Sequence, residues 1–165
     1  MFVLYKPVVF LHIFFGFMYM LAHGASVSVA YRLRQESSLE RVRTLLDLSG
    51  SSLAFMYLSL LFMFLGGIAL GFLGHWWSSR WIWASLLLLI AILVFMWLVA
   101  SKYFHRVRRA VGLPYLKGSK EQPAEAPVSE EEIRTVLRSG QPHLLTLVGI
   151  GGWALILWLM IFKPF

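Results

Sequence analysis

The segment PVVFLHIFFGFMYMLAHGASVSVA, from Pro7 to Ala30, runs without one acidic or basic side chain, yet it holds two histidines, His12 and His23. At a rise of ~1.5 Å per residue a helix over this stretch spans ~36 Å, enough to cross a hydrocarbon core of ~30 Å with some tilt. The histidines are eleven positions apart, and eleven steps of ~100° return a helix to within ~20° of its starting direction. Gly16, Tyr19, Ser26 and Ala30 fall on that same stripe, while Phe10, Phe14, Phe15, Met18 and Met20 lie mostly off it. One face is therefore small and polar and the rest is apolar. An imidazole facing acyl chains would leave its polar atoms unpaired, so the polar face is expected to point into a bundle.

Composition supports the same class. The chain of 165 residues is 59% hydrophobic and only 14% charged, whereas soluble domains are nearer half apolar and a quarter charged. The excess is gathered in four blocks that read as membrane spans, at about 7–30, 53–73, 81–101 and 143–162. The absence of cysteine excludes disulfides, thiolate metal sites and iron–sulfur ligation. A net charge of +7 without a basic groove interleaved with aromatics does not point to nucleic acid. The first block ends in Ser28-Val29-Ala30, like a signal cleavage site. Its apolar run is about twice the length of a signal's core, so it reads as a retained helix.

Between spans, residues 31–50 and 102–142 read as loops of a single 1–165 domain. Ser37 with Glu40 has the spacing of a capping box. Leu39, Val42 and Leu46 give a short amphipathic helix, which Gly50-Ser51-Ser52 is expected to break. In the second span Gly67 and Gly71 have the small-xxx-small spacing that lets helices approach closely, and Gly149, Gly151 and Gly152 offer the same in the fourth. Trp76, Trp77, Trp81 and Trp83 cluster at a turn around Ser78-Ser79-Arg80 and mark one membrane surface. A cage for an aromatic-binding ligand is the sharper reading of that cluster. The third span is expected to continue as helix to a stop at Gly112 and Pro114. Residues 117–128 read as a flexible tether. Ser129 with Glu132 caps a second amphipathic helix to Arg138, with Ile133, Val136 and Leu137 on its apolar side.

All but three of the fifteen basic residues fall in the two long loops: Arg32, Arg34, Arg41 and Arg43, then Lys102, Arg106, Arg108, Arg109, Lys117, Lys120, Arg134 and Arg138. Lys6, Arg80 and Lys163 are the exceptions. The positive-inside rule puts both loops in the cytoplasm and both termini, with the tryptophan turn, outside.

Leu11-His12, Gly16, the run Ala22-His23-Gly24-Ala25-Ser26 and the run Tyr31-Arg32-Leu33-Arg34, set in four spans with a basic first loop, carry a resemblance. The chain resembles uncharacterised bacterial four-helix integral membrane proteins grouped loosely with copper-resistance-D-like proteins. The resemblance implies a multi-pass protein of the bacterial inner membrane, with copper handling as the analogy from its better-known members.

Ionisable residues within spans are costly and mark functional positions by default. The first reading has His12 and His23 bonding neighbouring helices in an accessory or structural four-helix subunit without a cofactor. Its partners are the lipid bilayer and a larger membrane assembly or a second copy. The segments Leu39–Leu46 and Ile133–Leu137, with Arg41 and Arg43, are then the docking faces. The alternative is haem b or copper held by imidazoles. The two histidines are ~16.5 Å apart along the axis, too far to share one metal. Two separate sites follow: an outer one of His12 with His75 and an inner one of His23 with His105 or His143. A pathway for protons or small solutes is a third reading. An enzyme is not expected: no Ser-His-Asp set, carboxylate pair, phosphate loop or HExxH motif is present, and every acidic residue lies in the basic loops.

Overall fold

A computed structural model describes residues 2–165. Helix α1 covers Phe2–Leu33 and α2 covers Leu39–Leu73. A single helical turn at Trp76–Ser78 leads into α3, Arg80–Met96, which passes through a wide π-turn at Trp97–Ser101 into α4, Lys102–Ala110. Strands β1 (Tyr115–Lys117) and β2 (Lys120–Gln122) form a small antiparallel hairpin. Helix α5 is Glu130–Arg138. The fourth rod runs from α6, Pro142–Thr146, through a second π-turn at Leu147–Gly151 into α7, Gly152–Phe162. The architecture is an all-α four-helix bundle, and four of its helical stretches are long and apolar enough to cross a membrane.

The rods alternate in direction. α1 packs along α2 over most of its length, and α3 packs along α7. One end of the bundle therefore gathers both chain termini and the tryptophan turn, and the other gathers the basic loops. At the tryptophan end the Lys163 ammonium sits 3.9 Å from the Trp76 ring centre and 5.5 Å from that of Trp81. The aromatic cluster thus faces a cation of its own chain. Trp83 Nε1 donates to the Trp77 carbonyl at 3.0 Å, and the Trp77 ring packs against Gly71, where a Cβ would fall 2.6 Å from it.

The tightest core is at the basic end. Val29 and Leu33 of α1, Val42 and Leu46 of α2, Tyr103, Val107 and Ala110 of α4, Val111, and Ile133 and Leu137 of α5 form one buried cluster. Three hydrogen bonds clasp it. Arg43 donates from Nε and Nη2 to the Val111 carbonyl at 2.9 and 2.7 Å, and the Tyr103 hydroxyl donates to the Leu137 carbonyl at 3.1 Å.

Several details differ from the sequence reading. Helix α2 passes through Gly50-Ser51-Ser52 without a break, so the amphipathic segment is its first turns and not a separate helix. The serine hydroxyls that usually terminate helices are turned back onto it: Ser51 Oγ donates to the Leu48 carbonyl and Ser52 Oγ to the Ser49 carbonyl. The cap at its start is Ser38, one residue past the expected Ser37, with Ser38 Oγ accepting from Arg41 N. The segment 117–128 is tied down. Gly118, at φ +67°, makes the hairpin turn. Glu125 accepts from Tyr115 and Arg109, and Val128 N donates to the Ala110 carbonyl. The Tyr115 hydroxyl first, and then Arg109, hold the exposed Glu125 carboxyl below its ordinary range. The α5 cap is as expected, with Ser129 Oγ accepting from Glu132 N at 3.3 Å. The third rod also ends as expected at Gly112, whose φ is +75°.

Leu33 is fully buried in the basic-end core, whereas Leu87 on α3 is 68% exposed on the bundle's apolar exterior. Leu33→Ala is expected to lower stability by about 2–5 kcal/mol and Leu87→Ala by far less. Denaturant titration in detergent micelles measures both; equal losses would contradict this placement of the core.

Candidate functional site

The polar face of α1 meets two other rods along its length. Near the tryptophan end, His12 Nδ1 lies 2.7 Å from the Met63 carbonyl of α2, which makes Nδ1 the protonated donor. The imidazole reaches that carbonyl because Gly66 and Gly67 leave room for it. A Cβ on Gly66 would come 3.2 Å from His12 Cβ, and one on Gly67 3.1 Å from His12 Cε1. One turn on, Gly16 admits the edge of the Trp153 ring, 3.2 Å from where its Cβ would stand. Ser26 approaches Ser49 and Ser52 of α2, each hydroxyl pair at 3.4 Å. Tyr31, at the basic end, contacts His143 Nδ1 at 3.0 Å and accepts from Thr146 Oγ1 at 3.3 Å.

His23 is the exception among these satisfied groups. It is only 8% exposed, its ring is stacked parallel to Tyr19 at 6.1 Å, and its Nε2 is buried without a hydrogen-bond partner among the described residues. A Cβ built on Gly149 would collide with that nitrogen and would lie 3.0 Å from Met96 Cε. Gly149 is the middle residue of the fourth rod's π-turn, and Met96 immediately precedes the π-turn of the third. Both irregular turns therefore flank one buried imidazole. Each π-turn widens the helix by an extra residue, and such turns concentrate at functional positions. A buried polar atom left unpaired costs about 1–3 kcal/mol.

The five histidines are not brought together in the pairs the sequence arithmetic allowed. His75 is exposed in the tryptophan turn at φ +55° and makes no contact with His12. His105 Nδ1 accepts from Leu116 N at 3.2 Å and holds the hairpin to α4, and His143 is engaged by Tyr31. Among the described residues there is no group of three or more histidine or carboxylate side chains with metal-ligand spacing.

The glycines divide as well. Gly67 meets His12, Gly71 meets Trp77, Gly149 meets His23 and Gly152 meets Ile92, but Gly151 is exposed and its nearest neighbour is Leu147 of its own helix. Gly151 is therefore not a helix contact. Met63 and Gly66 border His12, and Met96 lies beside Gly149. Gly66 carried a signal as part of the Gly66-Gly67 pair; the two methionines carried none.

The fold defines the class as a multi-pass membrane protein of four spans. Comparison of the chain with protein-family models, curated proteins and solved structures finds no match.

Gly149 and Gly151 stand two positions apart on one π-turn with opposite surroundings. Gly149→Ala must displace the His23 ring from its stack on Tyr19 and is expected to cost about 1–3 kcal/mol, while Gly151→Ala should leave stability unchanged or slightly raised. Thermal unfolding of the two detergent-solubilised variants reads the difference.

Proposed function

We propose that this protein is an accessory four-helix subunit that associates side by side with another membrane protein. The observation that carries the proposal is Tyr57. It stands ~6 Å inside the 53–73 span, and is 60% exposed on the bundle exterior. Its hydroxyl makes no hydrogen bond within the chain among the described residues. In hydrocarbon an unpaired hydroxyl costs several kcal/mol, so this position calls for an acceptor from another span. Gly50, Leu53, Leu61 and Phe64 share the stripe at helical spacing and are exposed with it. They form an apolar face with one polar anchor at its centre.

The docking faces expected from the amphipathic segments do not serve. Val42, Leu46, Ile133 and Leu137 are buried against one another in the basic-end core, and Arg43 is spent on the Val111 carbonyl. The face available to a partner lies within the membrane.

A photo-crosslinking side chain placed at Tyr57 should capture protein in native membranes, while one at Ile90, exposed on α3, should capture only lipid. An adduct of twice the chain mass would identify the partner as a second copy. Lipid adducts alone at both positions would overturn the reading.

The same reading sets the orientation. The basic loops face the cytoplasm of a bacterial inner membrane, and both termini lie outside, by the asymmetry of arginine and lysine. A phosphatase reporter, active only outside, should be active when fused after Phe165 and silent at Lys120; the reverse pattern would reject it.

A further inference from the structure

The basic end holds a groove of about 670 Å³ between the close of the third rod, the β-hairpin and the α5–α6 connection. Its floor toward the membrane is apolar, made by Trp97, Leu98 and Leu145, and its rim carries Lys102, Arg106, Arg109 and Lys117. Among the described residues no acidic one lines it. Arg109 is engaged by Glu125 at 3.2 Å, but Lys102, Arg106 and Lys117 are in no ion pair among the described residues. Lys102 and Arg106 are one turn apart on α4 and so lie on one face. Lys117 is brought to the groove by the hairpin, which the Leu116 N–H to His105 Nδ1 bond holds against α4.

Three uncommitted cations above an apolar floor, at the level where a span leaves the membrane, match an amphiphile with an anionic head. We propose that this groove is a binding site for an anionic glycerophospholipid, with the phosphate between Lys102, Arg106 and Lys117 and the first acyl carbons along Trp97, Leu98 and Leu145. Basic pockets between spans on the cytoplasmic side recognise lipid headgroups in this way, and each cation near such a surface is worth about 1 kcal/mol. The volume falls within the ~300–1,000 Å³ range of ligand sites. The proposal rests on the four-span fold and not on the Tyr57 face, so either stands without the other.

The test is native mass spectrometry of the full chain in detergent with phosphatidylglycerol or phosphatidylcholine added at equal concentration. The wild type should retain phosphatidylglycerol preferentially, and the Lys102→Gln/Arg106→Gln variant, altered only at exposed positions, should lose at least about tenfold of that preference. Arg41→Gln, exposed at the same end but outside the groove, should keep it. Equal retention of the two lipids by the wild type would overturn the proposal. An equal loss in Arg41→Gln would also overturn it, by assigning the effect to the general charge of the basic end. Displacement of the lipid by millimolar inorganic phosphate would overturn it in favour of a free-phosphate site.

Discussion

The packing of Leu33, Val42, Leu46, Val107 and Leu137 into one core at the basic end is the interaction on which the remaining structure depends. Burying an apolar side chain is favourable when the alternative is water, and it gains little when the alternative is an acyl chain. Leu33, Val107 and Val111 are completely shielded, whereas large residues along the spans, such as Phe17, Leu87 and Trp97, remain mostly exposed to the surroundings of the bundle. The basic end is where the chain leaves the hydrocarbon, so the hydrophobic effect acts there. It sets which helix ends meet, and the Arg43 and Tyr103 hydrogen bonds fix their register.

Inside the spans close approach has to do what apolar burial cannot. Gly66 and Gly67 admit His12, Gly16 admits Trp153, and Gly149 admits His23. Each pairing sets a small residue against a large ring, which maximises dispersion contacts between helices that lipid would otherwise solvate equally well. The polar atoms carried into these contacts are mostly closed on nearby carbonyls and hydroxyls, as with His12 on Met63 and Ser26 among the α2 serines. His23 is held by its stack on Tyr19 and by the shape of the fourth rod, and its Nε2 stays unpaired. The two π-turns beside it show that the third and fourth rods depart from regular helix where they meet this ring.

Four spans, the small polar stripe of α1, the tryptophan surface, the Gly112 stop and the Ser129 cap are legible because each depends on local composition or on one helix's own periodicity. What escaped depends on neighbours. Gly50-Ser51-Ser52 reads as a breaker in isolation, yet the serines find carbonyls within the helix and Ser49 and Ser52 meet Ser26 of α1, so the helix continues. The 117–128 segment reads as a tether from its prolines and charges. The Tyr115–Glu125–Arg109 contacts that pin it join residues ten and sixteen positions apart. The histidine pairs rest on the side of the membrane and the depth at which each residue falls. Depth says nothing of azimuth, and the structure turns His75, His105 and His143 toward the turn, the hairpin and Tyr31 respectively.

The same distinction decides where a partner can bind. An amphipathic segment such as Leu39–Leu46 resembles a docking face because its apolar side lacks a visible cover in the sequence, but Ile133, Leu137 and Val107 supply that cover from distant positions. Tyr57 is the converse case. A tyrosine amid Leu53, Leu58, Leu61 and Phe62 carries no periodic signal of its own, and only the placement of α1 on the other side of α2 reveals that it faces outward. In water such a hydroxyl would be unexceptional. Among acyl chains it has no solvent to bond, so under the proposed function a group outside this chain satisfies it, and the α2 exterior is the surface that a partner would complete.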